Sequence, residues 1–569
     1  MGGIAGIVGD ADEADIGALL KQMLTPIQHH GPDGSGIVIG GIPQRSKVIE
    51  GLVFDEGKGC IALGQLQLAS VDGKKSLQPV QSKDGTINLM HLGVIYNLDE
   101  LRAVLKDNYE PERDSDSEII MQLIEQRYKG DLTAAVKEVA PMLDGVYSLA
   151  VTDNKQMVIS CDKLGLRQLY FSTNNNHVTF ASEKKSLMAI ADNHTEIRRL
   201  IPGHLATLDG KRAQELCFWN PESLRQSHGR IQDKKEALEA YNYVLTASIL
   251  KQVAGKKRVG IIFSGGIDSL LVAYMVQKLD IPFTCYTAGV EGAPDLEWAQ
   301  KTAEQFDFLI KIKKITLKEL ERALPHIITT IEDHSLNQVE AAIAFYFAVQ
   351  KAHQENEQII LTGQGPDEIF GGYPWYSKIV DEEGYESFEQ YSWEDTLLGY
   401  KETFERENKI ATAYGLEMSV PFVDPEVIEV AFRISPELKI RRGNDQIQKR
   451  IHREFGVSIG IPKHMALRKK EAAQHGANIH TALEDLAKRT GVTESMLADA
   501  GYDPDQSVTE KLGSSSRYGF RYGNQHLWKP LAQVQYYLDS YAAELNLLSQ
   551  QPQMHWEQTT RRLQDNGNM

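Results

Sequence analysis

The stretch that most constrains this chain is residues 258–273, RVGIIFSGGIDSLLVA, which passes from a strand pattern to a helix pattern across two glycines. Its apolar, β-branched start, VGIIF, is typical of a buried parallel strand. A turn of Ser264, Gly265 and Gly266 follows, and a helical pattern begins near Asp268. Glycines let the backbone approach a ligand closely, and the unpaired N–H groups at a helix start attract phosphate. Asp268 is suited to hold the Mg²⁺ that accompanies a nucleotide.

No Gly-Lys-Ser or Gly-Lys-Thr sequence follows this turn, so it is not the lysine-bearing phosphate loop. The phrase SGGIDS resembles the pyrophosphate loop of the ATP α-hydrolases, which cleave ATP to AMP and pyrophosphate while they adenylate an acid or a carbonyl. The alternative is an ordinary tight turn between a strand and a helix. The resemblance implies nucleotide contacts at the strand end and the helix start, from Phe263, Ser264, Gly265, Gly266, Asp268 and Ser269.

Length and charge limit the classes of protein to consider. A chain of 569 residues is too long for one core. The net charge of −17 argues against a general nucleic-acid or membrane-surface binder. The four cysteines form no CxxC pair, so neither a zinc site nor a disulfide framework is indicated. With no signal peptide and no long apolar run, we expect a soluble cytoplasmic protein.

Strand and helix patterns alternate in the second part of the chain, which predicts a doubly wound parallel sheet with ligands at the carboxyl ends of its strands. A buried strand over 358–361 leads into a second glycine-rich loop that contains Gly363, Gly365 and Asp367. Asp268 and Asp367 would then come from two strand ends and could share one Mg²⁺. The alternative is that Asp367 only caps a helix.

Short strand patterns dominate residues 37–208, and one helical segment over 115–128 interrupts them. The strand patterns include 46–54, 60–68 and 87–96. Many strands with few helices predict an α+β domain of packed sheets.

Several phrases resemble the N-terminal glutaminase domain of the class II amidotransferases, specifically of glutamine-dependent asparagine synthetases. They are GIAGIVG, HGPDGSG, LASVD at 68–72, LDGVYSLAVTD and FASEKKSL. The resemblance extends to the second domain, where loop 362–373 is similar to the family's SGEGxDExFGGY. QIQKRIHREF places Lys449 where the family has a lysine that meets the phosphates and the acyl-adenylate. Arg468 and Lys470 match the family's WRxKE phrase more loosely.

The glutaminase chemistry departs from the family's pattern. The family's N-terminal nucleophile is a cysteine, and Gly2 stands in its place without a side chain. The residues that bind the glutamine carboxylate, form the oxyanion hole and bind the glutamine amine are replaced. Only Asp116 of the glutamine-binding set is kept. We therefore expect a domain that does not hydrolyse glutamine. The three replacing residues are Gln67, Leu92 and Val94.

The resemblance implies four segments and one chemistry. They are a glutaminase-like Ntn-hydrolase-type sandwich (1–208), a linker (209–234), a pyrophosphate-loop ATP-binding domain (235–477) and a helical extension (478–569). ATP with Mg²⁺ adenylates a carboxylate, of which aspartate is the first candidate, and ammonia attacks to give an amide, AMP and pyrophosphate. The ammonia is free or comes from a separate glutaminase subunit. Lys449, Asp268 and Asp367 would be catalytic, the two carboxylates would hold the metal, and Gly363 and Gly365 would also contact the nucleotide.

Other readings stay open at this point. Gln364 stands where bacterial-type asparagine synthetases carry a glutamate, which leaves the acyl substrate uncertain. The amine could belong to the substrate itself, as in the β-lactam synthetases, which resemble asparagine synthetases and have also lost the nucleophile. A tRNA-modifying enzyme conflicts with the acidic charge, and an ATP-binding regulator conflicts with the intact SGGIDS. The aromatic run 517–528 is either a packing patch or a homodimer contact.

Overall fold

The computed structural model describes residues 2–9, 15–30, 33–54, 60–67, 78–105, 115–174, 176–191, 195–226, 229–443, 445–468, 476–500 and 529–545. Two compact units divide the chain, Met1–Pro221 and Glu222–Met569. Within the described ranges, no helix combines the length and apolarity needed to cross a membrane.

The first unit contains two antiparallel sheets. One has the strand order β11-β9-β10-β1-β4-β2-β3 and the other β13-β12-β8-β7-β6-β5. The strands are β1 (Gly2–Gly9), β2 (Gly34–Ile39), β3 (Ile42–Ser46), β4 (Ile61–Gln67), β5 (Val80–Gln81), β6 (Asn88–Ile95), β7 (Gly145–Thr152), β8 (Met157–Cys161), β9 (Tyr170–Thr173), β10 (His177–Ala181), β11 (Ile197–Arg199), β12 (His204–Leu208) and β13 (Ala213–Cys217).

Helices cover the outer faces of these sheets. The helices of this unit are α1 (Ile16–Leu24), α2 (Leu98–Leu105), α3 (Asp116–Arg127), α4 (Leu132–Val139) and α5 (Lys184–Met188), with 3₁₀ turns at Thr25–His30, Ile49–Gly51 and Ala140–Met142. Ile4 and Val8 of β1 pack against Met90 and Leu92 of β6 between the sheets. Separate apolar clusters join α1 to the first sheet and α3 and α4 to the second. The predicted α+β domain of packed sheets is confirmed, and the structure shows that both sheets are antiparallel.

The second unit is built on a parallel sheet of order β16-β15-β14-β17-β18. The chain order of the strands reverses direction between β14 and β17, and a sheet of this kind binds its ligand beside such a switch point. The predicted parallel sheet is confirmed. Its strands are β14 (Val259–Ile262), β15 (Phe283–Val290), β16 (Ile310–Ile315), β17 (Ile359–Leu361) and β18 (Glu417–Ser419).

Helices connect these strands and extend beyond them. One of them, α10, begins with a capping box formed by Thr316 and Glu319. The helices are α6 (Ser223–Gln226), α7 (Lys234–Val253), α8 (Ile267–Lys278), α9 (Pro294–Phe306), α10 (Leu317–Ile331), α11 (Leu336–Gln354), α12 (Pro366–Phe370), α13 (Pro374–Glu382), α14 (Tyr385–Gly399), a π-helix (Tyr400–Phe404), α15 (Glu405–Ala413), α16 (Pro425–Arg433), α17 (Pro436–Lys439), α18 (Arg450–Ile459), α19 (Lys463–Ala466), α20 (Ile479–Arg489), α21 (Glu494–Asp499) and α22 (Lys529–Glu544).

Two segments differ from the sequence expectation. The strand predicted over 46–54 is wrong, because the chain leaves β3 and forms the 3₁₀ turn Ile49–Gly51 there. Val48 and Val53, whose branched side chains suggested a strand, are 54% and 44% exposed. Residues 213–217, within the range assigned to a linker, form β13 and pair with β12. The aromatic run 517–528 and the residues after 545 lie outside the described residues.

Candidate active site

A first glycine turn joins β14 to α8. Gly265 has a φ of +71°, and a Cβ there would lie 2.8 Å from Cδ1 of Trp298, so only glycine fits. The indole Nε1 of Trp298 donates to the Gly265 carbonyl at 2.8 Å. The Ser264 N–H donates to Ser269 Oγ at 3.1 Å, and the Gly266 N–H donates to Ser264 Oγ at 3.2 Å. Side chains therefore hold the turn in shape while its backbone leads into the start of α8.

A second glycine turn follows β17 and lies against the first. A Cβ on Gly363 would approach the backbone nitrogen of Ser269 to 2.7 Å, so the two turns are in contact. Gly365 has a φ of +108° and precedes α12, whose first turn contains Asp367. Both turns thus lie at the carboxyl ends of β14 and β17, on either side of the switch point.

Lys449 lies between the two predicted metal-binding carboxylates. Its Nζ is 2.7 Å from each carboxylate oxygen of Asp268 and 3.0 Å from Oδ1 of Asp367. The lysine side chain is fully buried, whereas the carboxylates retain 18% and 13% exposure. One ammonium therefore pairs with both carboxylates, and the cluster keeps a net negative charge.

The backbone that carries Lys449 is strained. Gln448 and Lys449 have φ values of 56° and 46°, the left-handed region that residues with a Cβ rarely adopt. Strain of this kind costs about 1–3 kcal/mol per residue and is concentrated at functional sites. Here it allows Lys449, at the start of α18, to reach both carboxylates.

A buried histidine completes this arrangement, and the sequence analysis missed it. His452 Nε2 lies 3.0 Å from Oδ1 of Asp268, and its Nδ1 forms a 2.8 Å hydrogen bond with the Tyr241 hydroxyl. Burial lowers the pKa of His452, which favours the neutral imidazole. The spacing of three residues from Lys449 was the available signal, because residues at i and i+3 lie on one face of a helix.

A glutamine and a glutamate meet beside the second turn. Gln364 Nε2 donates to Glu407 Oε1 at 2.6 Å. Burial raises the pKa of the Glu407 carboxyl to about 7, and Arg406, whose Nη2 is 3.6 Å away, partly offsets this. The residue that departs from the family's pattern, Gln364, is thus bonded to a carboxylate from another element.

Of the two basic residues in the loosely matched phrase, one is described. The Arg468 guanidinium lies 4.1 Å from the centroid of the Trp298 ring and 3.9 Å from Asp295. It therefore backs the tryptophan that holds the first turn. Lys470 lies outside the described residues.

Comparisons with known proteins match both units. The model described as asparagine synthase matches residues 240–383 and 378–539, and the model described as a glutamine amidotransferase domain matches residues 1–243. The asparagine synthase match spans more than half of the chain. The chain belongs to the asparagine synthetase family. This family consists of ATP-dependent amide ligases.

Relatives of the asparagine synthetase family match along most of their length. A putative asparagine synthetase of Methanocaldococcus jannaschii is 29% identical over 522 residues, which is 84% of this chain and 94% of the relative. An asparagine synthetase of Lotus japonicus is 27% identical over 526 residues, covering 88% and 82%. Among solved structures, the glutamine phosphoribosylpyrophosphate amidotransferase of B. subtilis is 19% identical, covers 51% of this chain and 67% of that one, and has a TM-score of 0.34.

In the amidotransferase domain, the residues at the family's glutaminase positions take part in strand pairing, core packing and backbone hydrogen bonding. Gly2 pairs with Gln67 between β1 and β4, and a Cβ on Gly2 would lie 2.0 Å from the Leu66 carbonyl oxygen. Leu92 is 5% exposed and belongs to the core between the sheets. Asp116, the retained residue, accepts a 2.9 Å hydrogen bond from the Ile95 N–H. The phrase at 68–72 lies outside the described residues.

The two carboxylates of the synthetase unit suit a magnesium ion. Mg²⁺ is commonly held in nucleotide sites by one or two protein carboxylates together with the phosphates. Asp268 and Asp367 provide that set, since their oxygens already converge on one cation, the Lys449 ammonium. Among the described residues, no group of three or more His, Cys, Asp or Glu side chains is arranged to hold a metal by itself. The arrangement therefore fits a metal that arrives with a nucleotide.

Proposed function

We propose that the chain adenylates a carboxylic acid, aspartate in the first instance, and amidates it with ammonia that its own N-terminal domain does not produce. The observation that carries this proposal is the meeting of Lys449 with Asp268 and Asp367 between two glycine turns. Two carboxylates and a lysine ammonium at the switch point of a parallel sheet suit an ATP–Mg²⁺ site.

The first turn would bind the pyrophosphate portion of ATP. Helix-start N–H groups and the helix dipole favour an anion at Gly265, Gly266 and the start of α8. Ser264 and Ser269 add hydroxyl groups there. Phe263, Gly363 and Gly365 would complete the contacts along the two strand ends. Mg²⁺ held by Asp268 and Asp367 would offset the charge of the phosphates.

Lys449 would change partners when the nucleotide binds. The ammonium then meets the α-phosphate and stabilises the charge that develops as the substrate carboxylate attacks and pyrophosphate leaves. His452, fixed by Tyr241, positions the Asp268 carboxylate during this exchange. In the second step an amine attacks the acyl carbon, and AMP leaves.

The amine would be ammonia, either free or from a separate glutaminase subunit. The names of the two relatives describe them as glutamine-hydrolyzing. In this chain Gly2 offers no nucleophile, and the Leu66 carbonyl oxygen occupies the position that a side chain would need. The N-terminal unit then serves as a scaffold, and this chain uses ammonia where those relatives use glutamine.

The test is pyrophosphate release from ATP, Mg²⁺ and aspartate with ammonium, with glutamine or with no added amine, followed by mass spectrometry of the products. We expect asparagine and AMP with ammonium and no turnover with glutamine. Asp367→Asn should abolish the activity, because it removes one of the two carboxylates. Equal turnover with glutamine and ammonium would refute the proposed amine source, and no turnover with aspartate would refute the acyl substrate.

A second candidate differs only in the substrate. Gln364 has a neutral amide, hydrogen-bonded to Glu407, where bacterial-type asparagine synthetases carry a glutamate. The site could therefore accept another carboxylic acid, or one that carries its own amine, as in a lactam synthetase. Pyrophosphate release with other acids and no added amine would favour it. A tRNA substrate and a purely regulatory role have less support, and so does a homodimer. Pyrophosphate release distinguishes an enzyme from a regulator.

A further inference from the structure

His452 is a buried histidine that faces one of the two carboxylates proposed to hold the metal. It lies in the first turn of α18, three residues after Lys449, and is fully buried. Its Nε2 is 3.0 Å from Oδ1 of Asp268, the same oxygen that accepts a 2.7 Å hydrogen bond from the Lys449 ammonium. An imidazole nitrogen and an ammonium therefore meet at one carboxylate oxygen.

Packing holds the imidazole ring of His452 in one orientation. Its Nδ1 forms a 2.8 Å hydrogen bond with the Tyr241 hydroxyl. The rings of Phe370 and Phe422 lie against it, each with its centroid 5.4 Å from that of the imidazole. With a hydrogen bond on one nitrogen and aromatic rings around it, the ring keeps Nε2 directed at Asp268.

The Nε2 atom of His452 has bonding capacity that is not used. Its contact with Asp268 lacks the alignment of a hydrogen bond, and no other described residue bonds it. A buried polar atom normally finds a partner, so the lack of one points to a ligand. The 3.0 Å separation also suits two neighbouring ligands of one metal ion, because ligands about 2.0–2.1 Å from an octahedral ion stand about 2.9 Å apart. Metal-binding histidines are commonly fixed through their other ring nitrogen, as Tyr241 fixes this one.

We infer that Nε2 of His452 is a metal ligand next to Asp268, and that the site therefore takes a divalent transition-metal ion in preference to Mg²⁺. Mg²⁺ takes oxygen ligands, whereas imidazole suits transition metals. This assignment rests on the proposed function and names the class of its metal. Asp268 and Asp367 would supply carboxylate oxygens, and the phosphates would complete the set once Lys449 has turned to them.

Electron spin echo spectroscopy of bound Mn²⁺ detects nitrogen ligands directly and needs no turnover. Mn²⁺ is a stringent probe, because it accepts oxygen ligands as Mg²⁺ does and binds most weakly in the first-row series. With inorganic pyrophosphate, which contains no nitrogen, any nitrogen coupled to the ion belongs to the chain. We expect ¹⁴N modulation in the wild type, its replacement by ¹⁵N coupling when the histidines carry ¹⁵N, and its loss in His452→Leu.

The outcomes separate the metal ligand from the proposed function. Mn²⁺ bound with pyrophosphate but without nitrogen coupling would refute the role of His452 and leave the nucleotide site intact. Failure to bind Mn²⁺ with either pyrophosphate or a nonhydrolysable ATP analogue would refute the nucleotide site itself. Nitrogen coupling that does not respond to labelled histidine would also overturn the assignment.

Metal titrations in the presence of pyrophosphate test the preference. In His452→Leu we expect Mn²⁺ to bind about 10–100-fold more weakly and Mg²⁺ to change by less than about threefold, because only the transition metal uses the nitrogen. Tyr241→Phe keeps the imidazole but removes its hydrogen bond, so Mn²⁺ should bind about tenfold more weakly and keep its ¹⁴N modulation. An equal loss of both metals in His452→Leu would indicate a structural role and refute the preference.

A second buried histidine is the matched control. His334, between α10 and α11, is 4% exposed, and its Nε2 lies 3.5 Å from Asp539. His334→Leu should leave the ¹⁴N modulation and both metal affinities as in the wild type. Equal effects of the two leucine variants would overturn the assignment to His452. Thermal unfolding of each variant checks that the readouts come from folded protein.

Discussion

Replacing Lys449 by methionine tests whether its ammonium holds the two carboxylates of the site together. At N–O distances of 2.7 and 3.0 Å, each pair interacts by about 6 kcal/mol at an effective dielectric constant of about 20. Desolvation of the buried ions offsets most of that attraction, and removing one partner of a buried pair costs about 3–5 kcal/mol. Because Asp268 and Asp367 keep some contact with water, we expect the lower end, about 3 kcal/mol.

Thermal unfolding without nucleotide or metal measures this loss. For a unit of this size about 3 kcal/mol corresponds to a fall in Tm of roughly 4 °C. Mg²⁺ should then raise the Tm of Lys449→Met more than that of the wild type, because in the wild type the ammonium competes for the same carboxylate oxygens. The difference between the two Mg²⁺ titrations is a readout that needs no catalysis.

The same substitution at a second buried lysine is the control. Lys439 is fully buried, no described residue hydrogen-bonds its Nζ, and burial lowers its pKa to about 7. Its ammonium lies 4.7 Å from the Phe432 ring. Lys439→Met should therefore keep or raise the Tm, because methionine fills the space without a buried charge. If both methionine variants shift Tm alike, or if Lys449→Met unfolds as the wild type does, the electrostatic reasoning is refuted.

Three other predictions concern stability and the N-terminal unit. Lys409→Met should lower the unfolding free energy by about 3–5 kcal/mol, because it leaves Glu332 and a second glutamate buried without their cation; a loss below about 1 kcal/mol in denaturant titration would contradict this. The unfolded chain binds a proton at Lys439 up to pH 10.5 and the folded chain only up to about 7. Stability should rise with pH between these values, by at most about 1.4 kcal/mol per unit, and Lys439→Met should remove that rise. Gly2→Cys should lower Tm and yield no glutaminase activity, because its Cβ would lie 2.0 Å from the Leu66 carbonyl oxygen; glutamate release from glutamine would refute this.

Local chemistry explains what the sequence predicted correctly. The turn at Gly265 requires a positive φ and has no room for a Cβ. A glycine between an apolar run and a helical pattern predicts such a turn. The convergence of Asp268 and Asp367 follows from the rule that ligands gather at the carboxyl ends of parallel strands. Lys449 could be placed only through the family resemblance, because one lysine among many carries no signal in its own sequence.

Contacts between distant segments explain what was missed. The Tyr241–His452 hydrogen bond joins residues 211 positions apart, and the Gln364–Glu407 bond joins residues 43 positions apart. Neither pairing follows from local spacing, because helix packing decides which side chains meet. The error over 46–54 has the opposite cause, since an apolar run there suggested a strand although Val48 is 54% exposed.

The glutaminase positions of the first unit and the Lys449 cluster of the second unit differ in how they affect the stability of the fold. In the first unit Gly2 fits the β pairing and Leu92 joins the core, so both residues serve packing. The synthetase unit keeps a fully buried lysine, two carboxylates and two consecutive residues in the left-handed region. Each of these features costs free energy that well-packed apolar residues of similar volume would not. Stability alone would not favour these features, which supports the proposal that the second unit binds a nucleotide with its metal.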